Sequence, residues 1–258
     1  MSIVSVRAGI AANRAKSTKQ ISSHSTIYPF WKGDIGSETT IRFLPDGDPS
    51  NILFWVPKHT IEMPFEGIVG GDDATTKSVT VTITAASTWG MTCPIKEGTR
   101  ALWENNRHLA SLYWRRQSYL YQGLVVSASH AERAPPENSI RIIRLSHPIQ
   151  RYIEQTLIDD SLSDVPTDFE NGIDLKIAKS QKGTFASYQP RWSLKPRALT
   201  AVEQEGINKV GLPVLKDYLG TRPTDEHLAA QTEMLAASLN GEPFDQSRWG
   251  HLYRAFPS

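Results

Sequence analysis

A short stretch in the middle of the chain concentrates aromatic and cationic side chains. Residues 112–121 contain four aromatic residues and two arginines, Arg115 and Arg116. If this stretch is a β-strand, Tyr119 and Tyr121 lie on the same face, because side chains alternate along a strand. Such a face can stack unpaired nucleic-acid bases at about 1–3 kcal/mol per base, while the arginines bind phosphates. A Tyr-x-Tyr pair is also common in ordinary sheet cores, so both interpretations stay open at this point.

A second stretch, residues 176–197, interleaves basic with aromatic residues. Its turn Gln181-Lys182-Gly183 predicts a hairpin. Alternating cations and aromatic rings on a hairpin are suited to a groove for a single strand of nucleic acid. A solvated hairpin with buried aromatic rings is the alternative. The residues concerned are Lys176, Lys179, Lys182, Phe185, Tyr188, Arg191, Trp192, Lys195 and Arg197.

Charge is segregated along the chain, although the net charge is only +1. Residues 1–33, 100–152 and 175–197 are basic, and the last of these blocks contains six Lys or Arg and no Asp or Glu. Residues 153–174 contain seven acidic residues and no basic one. Any single block could be a solvated face. Three basic blocks that meet in the fold would form a positive field that attracts phosphates.

A β-rich core over residues 28–197 is predicted to position both stretches. The alternation of Val and Ile with Thr from Val79 to Thr84 predicts a strand. Further strands are predicted over 41–44, 51–56, 119–126, 140–145, 172–179 and through 185–188. Helices are predicted over 96–114 and 148–158 from the spacing of apolar residues.

The two ends of the chain differ from this core. Residues 1–27 form a basic, Ser- and Ala-rich arm with little apolar periodicity, which predicts flexibility or folding on binding. Residues 198–258 are predicted to be helical, with a capping box at Thr200 and Glu203. Thr224 is predicted to cap a second helix that ends near Asn240-Gly241. The aromatic residues of the tail, 242–258, predict that it is packed against a surface, either by folding back on this chain or by docking on a neighbouring subunit.

Composition narrows the class of protein. With 39% hydrophobic and 21% charged residues, the chain is typical of a soluble globular protein. It contains no run of 18 apolar residues and no apolar N-terminal leader, so neither a membrane partner nor secretion is expected. Its single cysteine, Cys93, cannot form an internal disulfide, which favours a reducing cytoplasm.

Several short motifs occur in the order in which one known family has them. They are Lys16-Ser17-Thr18, Thr40-Ile41-Arg42-Phe43-Leu44-Pro45, Cys93-Pro94, Arg115-Arg116-Gln117-Ser118-Tyr119 followed by Leu124-Val125-Val126, Pro136-Glu137-Asn138, and Gly183-Thr184-Phe185-Ala186-Ser187-Tyr188. Together they resemble the bacteriophage helix-destabilising single-stranded DNA-binding proteins of the T-even phage type. The resemblance covers about residues 40–190 and the arm.

The resemblance implies an α+β protein with a mainly β core. That core would be an OB-fold, a five-stranded Greek-key barrel, carrying an inserted β subdomain at about 57–95 and followed by the helical region 198–258. Single-stranded DNA would lie in its cleft against Arg115, Arg116, Tyr119, Phe185 and Tyr188. The spacing of the residues adds Tyr121, Lys176, Lys179, Lys182 and Arg191 as further DNA-binding candidates.

The resemblance also implies that the protein associates with itself along DNA. The arm of one subunit would dock on the next and make binding cooperative. The arm residues concerned are Arg14, Lys16, Ser17, Thr18 and Lys19. Phage replication or recombination proteins are possible further partners, and the cytoplasm of the infected bacterial host is the expected location.

This chain departs from the family pattern in its zinc ligands and in its C-terminal tail. The family binds zinc with one His and three Cys, but only His59 and Cys93 have counterparts here, and Lys96 stands at the place of the second Cys. A structural zinc site needs four N or S ligands, so we expect neither zinc nor another cofactor. The family ends in an acidic tail, whereas this chain ends in an aromatic and basic one, from Arg248 to Phe256.

The expected function is therefore non-enzymatic binding of single-stranded DNA in replication, recombination or repair, largely without sequence preference. The chain contains no phosphate-binding loop, no nucleophile elbow and no His-Glu-x-x-His motif. A metal-dependent nuclease is one alternative, and a protein-docking or virion component is another. The nuclease would use acidic residues of a stretch that otherwise predicts a solvated linker. These are Asp159, Asp160, Asp164 and Asp168.

Overall fold

The computed structural model describes residues 26–129, 138–159 and 165–257. These residues form an α+β structure whose mainly antiparallel main sheet has eight strands. A separate two-stranded sheet pairs β3 with β9. The strands are β1 (Glu38–Leu44), β2 (Trp55–Phe65), β3 (Ile68–Val69), β4 (Val79–Thr84), β5 (Arg116–Ala128), β6 (Ile140–Ser146), β7 (Leu175–Lys182), β8 (Phe185–Trp192), β9 (Phe244–Asp245) and β10 (Ala255–Pro257).

Seven α-helices and three short 3-10 helices complete the described part of the chain. The α-helices are α1 (Pro94–Gly98), α2 (Leu102–Asn105), α3 (Arg107–Leu112), α4 (His147–Ile158), α5 (Ala201–Val210), α6 (Asp225–Leu239) and α7 (Gln246–Trp249). The 3-10 helices are Phe30–Lys32, Ala86–Trp89 and Leu215–Tyr218. None of the helices in these described segments is long and apolar enough to cross a membrane.

The chain divides into two compact units. Of the described residues, the first unit contains 26–54, 121–129, 138–144, 151–159 and 165–214, and the second contains 55–120, 145–150 and 215–257. The C-terminal residues from 215 onward thus belong to the same unit as residues 55–120. The limits predicted from the sequence, with an inserted subdomain at 57–95 and a C-terminal region at 198–258, stay a prediction.

Five strands build the first unit, in the spatial order β6-β5-β1-β7-β8. The pairs β1–β5, β1–β7 and β7–β8 are antiparallel. Among the described residues the sheet is not closed into a barrel, so the five-stranded OB-fold barrel expected from the sequence stays a prediction. Aromatic rings fill the core on one face, where Phe43 stacks on Tyr121 with 4.7 Å between centroids. A smaller cluster of Leu44, Leu124 and Ile140 packs with residues of and before α5.

The second unit has its own core. On β2 and β4 alternate residues point inward, and the register places Ile61 opposite Ile83. Helix α6 packs Met234 and Leu235 into this cluster, and the C-terminal Trp249 is buried in it as well. Thr224 caps α6 as predicted. Burial of these side chains, at about 25 cal/mol per Å² of apolar surface, is the main stabilising contribution to the unit.

Two predicted elements differ from those observed. The helix predicted over 96–114 is three short helices, because Thr99 ends α1 and the side chain of Asn106 caps α3 by accepting from Leu109 N–H. The strand predicted over 51–56 begins only at Trp55. The preceding residues form a loop in which the side chains of Asp46, Asp48 and Asn51 accept backbone N–H groups.

Candidate nucleic-acid interface

The β7–β8 hairpin is closed by a two-residue turn, Gly183-Thr184. Gly183 has a φ of +62°, a conformation that glycine adopts without strain. Two-residue turns fix the register of the strands that they join. The resulting register places Lys182 directly opposite Phe185 and Lys176 directly opposite Arg191.

The two faces of this hairpin differ in character. One face carries Lys176, Lys182, Phe185 and Arg191, which we call the basic hairpin face. The Phe185 ring on this face is 78% exposed. At the end of the hairpin away from its turn, the other face is apolar, with Leu175 and Ile177 on β7 and Trp192 on β8, whose ring lies edge-on to Phe43. The apolar face fixes the hairpin on the unit, so the basic face is held toward solvent.

The charges of the basic hairpin face are only partly compensated. Lys176 and Arg191 are like charges in directly opposed positions, which is unfavourable in a sheet. Glu38 forms an exposed ion pair with Arg191. Within the described ranges, neither Lys176 nor Lys182 forms an ion pair. An external anion such as a phosphate would relieve this repulsion.

Two of the hairpin residues predicted to bind DNA have structural contacts instead. Lys179 Nζ donates to the carbonyl oxygens of Trp31 and Gly33 at 2.8 and 2.6 Å. The Tyr188 ring packs edge-on against Phe30, with 5.4 Å between centroids, and burial raises the pKa of its hydroxyl. Both residues therefore hold the segment 30–33 on the hairpin, and their predicted role in contacting DNA is not supported by their positions.

The predicted stacking of bases on Tyr119 and Tyr121 is contradicted by their burial. Tyr121 is fully buried in the first unit, between Phe43 and Phe54. Tyr119 is 7% exposed in the second unit, where its hydroxyl accepts from Gln117 and lies 3.3 Å from His147 Nδ1. The physical reason is that each ring is covered by other side chains, Tyr121 by the aromatic core at Phe43 and Tyr119 by His147. Neither tyrosine is free to stack a base.

Arg115 and Arg116 lie at the beginning of β5, in the second unit. The Arg116 side chain is 65% exposed and forms an ion pair with Glu62. Arg115 is half-buried, and its guanidinium group lies 3.5 Å from Ser87 Oγ. Burial and the charge of Arg115 lower the pKa of His59, which favours a neutral imidazole there. Both arginines keep N–H groups available to a phosphate.

Sequence reasoning missed a cation–aromatic pair beside the hairpin. The guanidinium group of Arg144 lies 5.5 Å from the centroid of the Trp31 ring. Arg144 is exposed and Trp31 is half-buried. A cation over an aromatic face contributes about 0.5–1 kcal/mol of stabilising interaction energy at an exposed site. The two residues are 113 positions apart in the chain, and no local pattern in the sequence joins them.

The residues present do not fit the zinc site of the resembled family. Cys93 is buried in the core of the second unit. His59 Nδ1 lies 3.1 Å from Ser87 Oγ. Over the described parts of the chain, no three His, Cys, Asp or Glu side chains cluster so that they could hold a metal ion.

Several predicted residues lie outside the described residues. They are the arm residues Arg14, Lys16, Ser17, Thr18 and Lys19, and the acidic residues Asp160 and Asp164. Asp168, the last acidic residue of the nuclease hypothesis, accepts the backbone N–H groups of Glu170 and Asn171. These two hydrogen bonds lower the pKa of its carboxyl group. Asp168 thus has a local structural role in a turn.

The motifs that carry the resemblance fall on different elements. Ile41 to Leu44 lie in β1, Cys93-Pro94 begin α1, and Phe185 to Tyr188 lie in β8. The motif from Arg115 to Tyr119 begins at β5, whereas Pro136 and Glu137 lie outside the described residues. The chain matches no protein-family model and no curated protein.

Proposed function

We propose that this chain binds single-stranded DNA, largely without sequence preference, as a non-enzymatic factor of phage replication, recombination or repair in the infected bacterium. The observation that carries the proposal is the basic hairpin face. It combines an exposed phenylalanine ring with three cations, of which only Arg191 has an ion-pair partner among the described residues. Such a surface stacks any base and attracts phosphates, which are the two requirements of binding without sequence preference.

The connectivity of the first unit supports a more specific proposal, an open OB-fold. Its strand order β6-β5-β1-β7-β8, with α4 between the third and fourth of these strands in the chain, is the order of an OB-fold. OB-folds are partly open five-stranded barrels, and they bind oligonucleotides with the loop between strands four and five. In this chain that loop is the turn between Lys182 and Phe185.

In the proposed mechanism one base stacks on Phe185 and a neighbouring phosphate binds Lys182, both next to the turn of the hairpin. Phosphates further along the strand bind Lys176 and Arg191, six residue pairs from the turn pair. Arg115 and Arg116 would bind further phosphates on the second unit. A protein that binds unpaired strands and not duplexes shifts hairpins toward the open form by mass action, without ATP. Self-association along the strand and contacts with other phage proteins are proposed from the resemblance.

Titration of the purified protein with poly(dT), and with duplex DNA of equal length, tests the proposal. We expect quenching of tryptophan fluorescence by poly(dT), with an affinity that falls steeply as salt is raised, because binding releases counterions. Duplex DNA should bind much more weakly at every salt concentration. Equal affinity for both forms, or no binding at low salt, would overturn the proposal.

A further inference from the structure

The second unit has a shallow pocket between α1, α2 and the residues that follow α3. The break after α1 is made by Thr99, whose buried hydroxyl donates to the carbonyl oxygen of Ile95 at 2.8 Å. This break turns the chain so that the residues of α1 and α2 face the residues that follow α3. The side chains that carry the argument are Lys96, Arg100, Trp103, Tyr113, Trp114 and Arg115.

Two tryptophans form the aromatic part of this pocket. The rings of Trp103 and Trp114 lie edge-to-face, with 5.1 Å between centroids and 78° between planes. In that arrangement the ring that contributes its edge has neither of its faces covered by the other. Trp114 is 61% exposed, which is unusual for the largest aromatic side chain. The pair therefore offers an aromatic surface that the described protein leaves uncovered.

Cations surround this aromatic surface. Lys96, Arg100 and Arg115 line the pocket, and its lining contains no Asp or Glu. Of these three cations, only Arg100 forms an ion pair with a carboxylate in the part of the chain that the structure describes, an exposed pair with Glu97. The pocket is thus positively charged, which suits a ligand that combines a flat ring with an anionic group.

The size of the pocket limits the ligand further. Its volume is about 150 Å³. Pockets for whole small molecules measure roughly 300–1,000 Å³. This pocket therefore has room for one planar ring but not for an entire dinucleotide cofactor.

We propose that this pocket binds one nucleotide of a single strand. The base packs against Trp103 and Trp114, and the adjoining phosphates bind Lys96, Arg100 and Arg115. This inference rests on the proposed function. It adds a second base-stacking position, formed by residues that are not part of the basic hairpin face.

Fluorescence polarisation of a labelled dT oligonucleotide, with the full chain, tests the inference. Trp114→Ala should weaken binding about 5- to 150-fold, the equivalent of one stacked base. Trp114→Phe should keep most of the affinity, because a ring remains, and should reduce the quenching of tryptophan fluorescence by the oligonucleotide. Leu112→Ala is the matched control, since Leu112 is an exposed apolar residue of α3 outside the pocket.

The outcomes separate this inference from the proposed function. If Phe185→Ala weakens binding while Trp114→Ala and Arg100→Ala stay within twofold of the unmodified protein, the pocket hypothesis is wrong and the proposed function stands. If the unmodified protein does not bind the oligonucleotide, the proposed function fails as well. Thermal unfolding of Trp114→Ala should match that of the unmodified protein, because most of the ring is exposed, so weaker binding would not reflect misfolding.

Discussion

Arg42 and Asp174 form a buried ion pair, with 2.9 Å between Arg42 Nε and Asp174 Oδ1. The Arg42 side chain is fully buried, and the other oxygen of Asp174 accepts from Arg197 Nε at 2.8 Å. Arg197 in turn binds Glu203 with both of its terminal nitrogens. These four residues link β1, the residue before β7 and the first turn of α5, so they fix the sheet that carries the basic hairpin face.

Replacement of Asp174 tests the contribution of this pair to stability. Asp174→Asn should lower the free energy of unfolding by about 3–5 kcal/mol, because it leaves the Arg42 charge buried without a counter-charge. Urea denaturation followed by circular dichroism measures the change. Glu62→Gln is the control, since its exposed pair with Arg116 should contribute less than about 1 kcal/mol. A comparable, small loss in both variants would show that Arg42 does not depend on Asp174.

The stability of the first unit should fall at acid pH because of Glu203. Hydrogen bonds from Arg197 lower the pKa of Glu203 from 4.5 to about 2, against an opposing effect of burial. The unfolded chain therefore takes up the proton first, and the stabilisation is complete above pH 4.5 and is lost as the pH falls toward 2.

Comparison with Glu203→Gln isolates this contribution. The variant should lose about 1–2 kcal/mol at pH 7, since water screens the partly exposed carboxylate. It should also show a smaller decrease in stability between pH 4.5 and pH 2 than the unmodified protein. Urea denaturation at a series of pH values measures both quantities. Parallel pH profiles for the two proteins would contradict the assignment.

Phe185 is the residue that the proposed function needs most. Phe185→Ala should weaken binding of poly(dT) by about 5- to 150-fold, through the loss of one stacked base. The free energy of unfolding of this variant should differ from that of the unmodified protein by less than about 0.5 kcal/mol, because the Phe185 ring is mostly exposed. Ile52→Ala removes an apolar side chain that is 94% exposed in the same unit and should leave binding unchanged. Equal binding by the two variants would exclude stacking on Phe185.

Lys182 should contribute through charge and not through stacking. Lys182→Ala should reduce the salt dependence of binding, with the slope of log K against log salt about 0.7 smaller in magnitude, because one phosphate contact is lost. Lys209→Ala removes an exposed cation of α5 and is the matched control. Titrations at four or more salt concentrations give both slopes. The hypothesis is wrong if the two variants change the slope equally.

The arm can be tested with a deletion whose limit the structure defines. Thr26 is buried, and Tyr28 N–H donates to the carbonyl oxygen of Ile142 at 2.8 Å. The deletion should therefore end at residue 25, since a longer one would remove contacts of the first unit. Loss of residues 1–25 should reduce cooperative binding to long poly(dT) far more than binding to a short oligonucleotide. A similar loss on both ligands would refute the cooperative role of the arm.

Local patterns in the sequence predicted the elements that local interactions determine. The strand at Val79–Thr84 has the predicted bounds, and the capping box of Thr200 and Glu203 is formed. Both depend on residues a few positions apart. The long helix over 96–114 was wrong, because the helix is interrupted at Thr99 and Asn106. Among the described residues the sheet is not closed into a barrel, and the OB-fold stays a proposal, because barrel closure depends on pairings between distant strands.

The candidate site could be predicted only in part. The sequence identified the basic and aromatic composition of the hairpin, and the register then separated Lys182 and Phe185 from Lys179 and Tyr188. The alternation of side chains along a strand predicted that Tyr121 shares a face with the residues two positions before and after it. It gave no information on whether that face is covered, which depends on Phe43, far away in the chain.

The two-residue turn of the β7–β8 hairpin limits how this protein can change over evolution. A single residue inserted within either strand would exchange its two faces beyond the insertion. Trp192 would then lose its contact with Phe43, while Lys176 or Arg191 would point into the apolar core. Related chains should therefore vary the length of these strands in steps of two residues. Single insertions should be confined to the turn, where Gly183 has open space around it.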